Sequence, residues 1–178
     1  MPQFPRIDNT LQTISDFLQQ LHTTEPAATE ISSYLTASAI LTIVSEYEDY
    51  IESIFIARAA QCEDAPIVHY VRYVTTKQFR NPSIEAIKDH LSRFGDPFKN
   101  LFSRQLETES ANAAAWDSLM TARHAIVHKE GSLQLTFQEV QSKYPNTLTV
   151  INCLMGVLGV TDQQISALDL SCVVSPES

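Results

Sequence analysis

The chain has 178 residues, 44% of them hydrophobic and 19% charged, which suits one domain with a real core and argues against disorder. Its formal net charge of −9 speaks against a general nucleic-acid binder, because such proteins gain affinity by neutralising phosphates with a basic surface. Only four glycines are present, and long stretches run without a breaker, so the composition favours an all-helical protein.

The opening MPQFPRIDNT has no basic region followed by an apolar core and does not read as a secretory signal. No run of about 18 apolar residues occurs, so no transmembrane helix is expected. Cys62, Cys153 and Cys172 are odd in number, far apart and without a Cys-x-x-Cys pair. That argues against a disulfide framework or a zinc cluster and fits a cytoplasmic location.

Ile7, Leu11, Ile14, Leu18 and Leu21 recur at three and four residues and predict a first helix over 6–22, with Asp8, Asn9 or Thr10 as caps. Pro26 breaks the pattern. Residues 28–62 hold neither Gly nor Pro and read as one long helix, the centre of a bundle. Its wide apolar face runs through Ile40, Leu41, Ile43, Val44, Tyr47, Ile51, Ile54 and Phe55, and Glu48 falls inside it. Residues 66–79 are rich in β-branched and aromatic residues, yet no second strand stands nearby to pair with them, so a helix is favoured.

The next helix spans about 82–94 and is closed by Gly95, and a short one over 96–106 has Pro97 in its first turn. Residues 109–129 form a further helix, with Gly131 as its stop. Thr136 and Glu139 have the spacing of a capping box and open a short helix to about 144; Pro145 begins another to about 159. Residues 1–160 are thus expected as one helical domain, and 161–178 as a weak tail partly ordered by Leu168 and Leu170.

The chemistry gathers in TARHAIVHKEG, residues 121–131, which places Arg123, His124 and His128 within six positions. Trp116, Met120, Arg123 and Val127 follow at four, three and four residues, the stripe a helix buries, so Arg123 is expected in an apolar seam. A guanidinium there stays ionised and needs a partner, and Glu48 is the mirror case on the long helix. The two are expected to pair, either as a structural ion pair between helices or as the fixing of a functional arginine. His124 and His128 are four apart and share a face. No third ligand accompanies them, and the Glu of a His-Glu-x-x-His motif is missing, so no metal site is expected. An ideal helix separates Arg123 from His128 by about 140°.

Arg-polar-x-x-x-His at the C-terminal end of a helix in a small all-α bundle resembles the HEPN superfamily. RHAIVHKEG followed by LTFQEVQSKY, with EDYI on the earlier long helix, is similar to its RiboL-PSP-HEPN branch over roughly residues 30–160. The Arg-His dipeptide also resembles the motif of RNA-targeting CRISPR nucleases. The resemblance implies a HEPN-like helical bundle with one long central helix. It implies a metal-independent endoribonuclease without cofactor, acting as a homodimer in which two Arg-x4-His motifs meet, and often a toxin or antiviral defence effector silenced by an antitoxin or complex partner. In that reading His128 moves the proton, since imidazole titrates near neutrality, and Arg123 stabilises charge on the phosphoryl oxygens. His124 would orient the pair or contact the RNA backbone, and Glu48 would hold Arg123. Lys129, Arg72, Lys77 and Arg80 would supply a local basic cleft. The family also contains members without nuclease activity, so a non-catalytic protein-interaction module is the alternative.

Trp116 reads as core rather than as a stacking platform, and His69 and His90 as surface or structural histidines. The stretch HYVRYVTTKQFR, residues 69–80, interleaves aromatic and basic residues in a composition able to contact RNA; an amphipathic helix with a basic solvent face is the blander reading.

Overall fold

The computed structural model describes residues 2–21, 26–79, 82–128 and 134–172. Among them the chain is all-α, with α1 Pro5–Gln20, α2 Pro26–Ala60, α3 Ala65–Gln78, α4 Ile84–Phe94, α5 Asp96–Thr108, α6 Ser110–His128, α7 Phe137–Leu158 and α8 Asp162–Cys172. None of these helices is long and apolar enough to cross a membrane.

α2 is the axis, with α1, α3, α6, α7 and α8 packed around it. Ile40, Ile43, Val44, Tyr47, Ile51, Ile54 and Phe55 on its apolar face are fully buried. Leu41, expected in that face, is instead 40% exposed. It lies one residue beyond Ile40, about 100° round the helix, and passes the edge of the packed sector. Tyr47 is the knot of the bundle. Its ring stacks on Trp116 of α6 at 4.9 Å with planes 4° apart, and its hydroxyl pairs with that of Thr147 on α7. The Trp116 indole N–H donates to the Pro82 carbonyl at 2.7 Å, so this large core residue leaves no polar atom unsatisfied.

The helix ends follow local chemistry, with two corrections. α1 starts at Pro5, ahead of the expected caps at Asp8, Asn9 or Thr10, because proline presets the first helical φ and has no N–H to satisfy. Phe4 before it is buried against Tyr47 and Tyr50 and anchors the entry. α3 is a helix, as the lack of a partner strand predicts: the Asp64 carboxylate accepts from the Ile67 N–H at 3.1 Å and Pro66 sits in the first turn. Gly95 closes α4 at φ 131°, a backbone state that a side chain would strain.

The second correction is larger. Thr136 and Glu139 do form the capping box, but the helix they open does not stop at 144; α7 continues through Pro145 to Leu158. Pro145 is solvent-exposed, so the Gln141 carbonyl deprived of its helical donor lies on the wet side. Tyr144, Thr147, Val150 and Ile151 on the opposite side are buried and hold both halves in line. The Thr147 hydroxyl also donates to the Tyr144 carbonyl at 2.6 Å. Beyond Gly159, the stretch expected as a weak tail carries α8. Ile165 is buried, Leu168 packs on the core, and the Tyr50 hydroxyl donates to the Asp162 carboxylate. The Leu170 side chain lies outside the described residues.

His90 is structural, wedged at 5% exposure against Phe55 and Phe79 with ring centroids 5.0 and 5.2 Å away. Burial, aided by the nearby Arg93 charge, pushes its imidazole down to about 4. Between the ordinary 6.5 and 4, the unfolded chain binds a proton that the folded chain refuses. Stability is therefore full above about pH 6.5 and falls as the pH drops towards 4. We expect this group to cost about 2 kcal/mol between pH 7 and pH 5. Denaturant melts of wild type and His90→Leu at the two pH values check this, with the smaller pH loss in the variant.

Candidate functional site

α6 carries the constellation as it leaves the core. Exposure rises along its stripe, from Trp116 at 0% through Met120 at 4% to the Arg123 side chain at 23%. Val127, expected in the same seam, is 49% exposed. Ala122 is buried and Ile126 packs on the core instead, so the buried side of the last turns has moved to them.

Arg123 reaches back to α2. Its Nη2 lies 3.5 Å from Glu48 Oε1, with both side chains about three-quarters buried. That is an ion-pair distance, longer than the roughly 2.7–2.9 Å of a direct charge-assisted hydrogen bond. One long pair does not exhaust the five N–H donors of a guanidinium. Trp116 and Tyr47 stack one residue before Glu48 and two turns before Arg123, so this buried ring contact between α2 and α6 also registers the two charges.

His124 and His128 are both exposed, in the last two turns of α6. Their ring centroids are 4.2 Å apart and the planes tilt by 43°. Arg123 thus turns to α2, while His128, the last helical residue, faces solvent. Among the described residues no group of three or more His, Cys, Asp or Glu converges as a metal site.

α3 joins the site through a contact that sequence reasoning missed. Glu52 stands one turn after Glu48 on α2, and its carboxylate accepts the Thr76 hydroxyl of α3. The i, i+4 spacing of the two glutamates on a long helix was the available signal. The bond fixes the C-terminal end of α3 on α2 one helical turn along from Glu48, the glutamate that pairs with Arg123. Lys77 is exposed; its ammonium donates to the Tyr73 hydroxyl at 2.8 Å and lies 4.3 Å from the ring centroid. Arg72, half-buried, precedes Thr76 by one turn on the same flank. Lys129 and Arg80, the other expected cleft residues, lie outside the described residues, as does Gly131.

Other sequence candidates stand apart. His69 is exposed on α3. Cys62 is exposed and Cys153 half-buried, both as free thiols, with burial holding the Cys153 thiol above its ordinary range. A groove of about 720 Å³ on the other flank of α3 is lined by Arg58, Ile67, Tyr70, Arg93 and Phe98 and excludes the Arg–His constellation.

An ionised arginine held by a glutamate, and an accessible imidazole near the end of the same helix, can bind a phosphoryl group and move a proton. No match to the chain is found among curated proteins or solved structures. A family model does match, that of RiboL-PSP-HEPN, over residues 6–158. With most of its length so covered, the chain belongs to the RiboL-PSP-HEPN family.

Proposed function

We propose that the protein is a metal-independent endoribonuclease of the HEPN type, working as a homodimer in the cytoplasm, in a toxin–antitoxin or antiviral defence setting. The observation that carries this reading is the Arg123–Glu48 pair: a guanidinium oriented from behind by a carboxylate, on a helix whose last residue is the exposed His128. The RNA 2′-hydroxyl attacks the adjacent phosphorus as its proton passes to an imidazole. Arg123 binds the non-bridging oxygens, where charge builds. The P–O5′ bond breaks, a proton is delivered to the departing oxygen, and the products carry a 2′,3′-cyclic phosphate and a 5′-hydroxyl.

Arg123 and His128 point to different sides of α6. A second copy facing the first would bring an imidazole from one subunit to the guanidinium side of the other, which is what the dimer supplies. His124, in ring contact with His128, orients it or touches the backbone. Arg72 and Lys77 on α3 supply local positive charge on an acidic protein, and Arg80 and Lys129, also assigned to substrate binding, lie outside the described residues. An antitoxin or complex partner would silence the cleft. The 720 Å³ groove, with Ile67 47% and Tyr70 67% exposed, favours a second reading as a protein-interaction module. Substrate chemistry separates them. The nuclease cuts single-stranded RNA in excess EDTA and leaves the same sequence intact when every 2′-hydroxyl is methylated. An interaction module cuts neither.

A further inference from the structure

The outer face of α3 presents two tyrosines three residues apart, Tyr70 at 67% and Tyr73 at 55% exposure. Large aromatic rings held this far into water bury little area and contribute little to folding. Tyr73 is also organised: Lys77 bonds its hydroxyl and lies within cation–π range of its ring, which places a positive charge at the edge of a flat apolar surface. Ring plus ammonium is the pairing that single-stranded nucleic acid meets with base and phosphate. The placement ties this face to the candidate centre. Thr76, between Tyr73 and Lys77, is bonded to Glu52, one turn from the glutamate that holds Arg123.

We propose that Tyr73, with Lys77, forms a stacking platform on α3 that holds the unpaired nucleotides flanking the scissile phosphate. The inference rests on the nuclease reading for the identity of the ligand. Stacking on a tyrosine face tolerates any base, so the platform selects for single strands, whose bases are free, over duplex. It also answers the net charge of −9: affinity comes from ring contact and one or two local cations rather than from a broad basic surface.

The test uses the full chain and fluorescein-labelled, non-cleavable 2′-O-methyl homopolymers of adenine and of uracil, read by anisotropy over a salt series. Tyr73→Ala weakens binding by about tenfold, the order of one lost base stack, and leaves the salt slope unchanged. Tyr73→Phe stays near wild type. Lys77→Ala lowers the salt slope by about one ion. Both side chains are exposed, so melting temperatures stay level. Binding of Tyr73→Ala equal to wild type overturns the platform while the nuclease reading, judged separately by cleavage, stands. A Tyr73→Ala variant that changes oligomeric state in light scattering overturns it in favour of a protein-contact surface. Wild type that neither binds these oligomers nor cleaves RNA overturns both.

Discussion

Arg123→Ala is expected to lower RNA cleavage by about two to three orders of magnitude, the usual effect of removing one donor to a charged transition state. Arg123→Lys is expected to recover little of it. An ammonium keeps the charge but loses the planar fork that grips two phosphoryl oxygens. The lysine variant also separates catalysis from folding, because it leaves a cation facing Glu48 in the three-quarters-buried seam. Its melting temperature should stay near wild type, while the alanine variant leaves the Glu48 carboxylate without that cation and melts lower. Glu48→Gln completes the series. The amide still fills the seam but no longer fixes the guanidinium by charge, so turnover falls with substrate affinity largely kept. Single-turnover cleavage and anisotropy on one RNA read the two quantities apart.

Trp116→Ala is expected to cost about 3–5 kcal/mol of stability. The indole is fully buried, stacks on Tyr47 and satisfies the Pro82 carbonyl, and alanine removes all three at once. For a chain of this size the melting temperature should fall by about 10 °C. Trp116→Phe keeps most of the apolar volume but leaves the Pro82 carbonyl unsatisfied, at about 1–3 kcal/mol. Circular dichroism is the probe, since this is the only tryptophan and its fluorescence disappears with it. The same change loosens α2 against α6 beside the Glu48–Arg123 pair, so the phenylalanine variant should lose some activity at temperatures where it is still folded.

Where an apolar residue recurs every three or four positions, as in α1, α2 and α6, the helix was legible from the sequence; α3 was read as a helix for want of a partner strand, and α4 and α5 from Gly95 and Pro97. What was not legible depends on tertiary surroundings. A proline normally ends a helix, and only the buried side formed by Tyr144, Thr147 and Ile151 shows why α7 runs straight through Pro145. α8 has a weak apolar pattern and forms because α2 offers it a surface, including the Tyr50 hydroxyl. Leu41 and Val127 carry the right spacing but lie where the packed sector ends. At the site, the meeting of Glu48 and Arg123 could be read because a charge inside an apolar stripe must find its opposite. Glu52 gave only the i, i+4 spacing from Glu48, which is ordinary on a long helix, and its partner Thr76 belongs to a helix whose place against α2 only the fold defines.

The proposed activity is metal-independent cleavage of RNA centred on Arg123 and His128. Its most direct test compares wild type with His128→Ala on one defined single-stranded RNA in excess EDTA, with the product ends identified by mass spectrometry. Wild type is expected to cleave, leaving 2′,3′-cyclic phosphate and 5′-hydroxyl ends, with a loss of about two to four orders of magnitude in the variant. Equal cleavage by both proteins, or products ending in a 5′-phosphate, would contradict it.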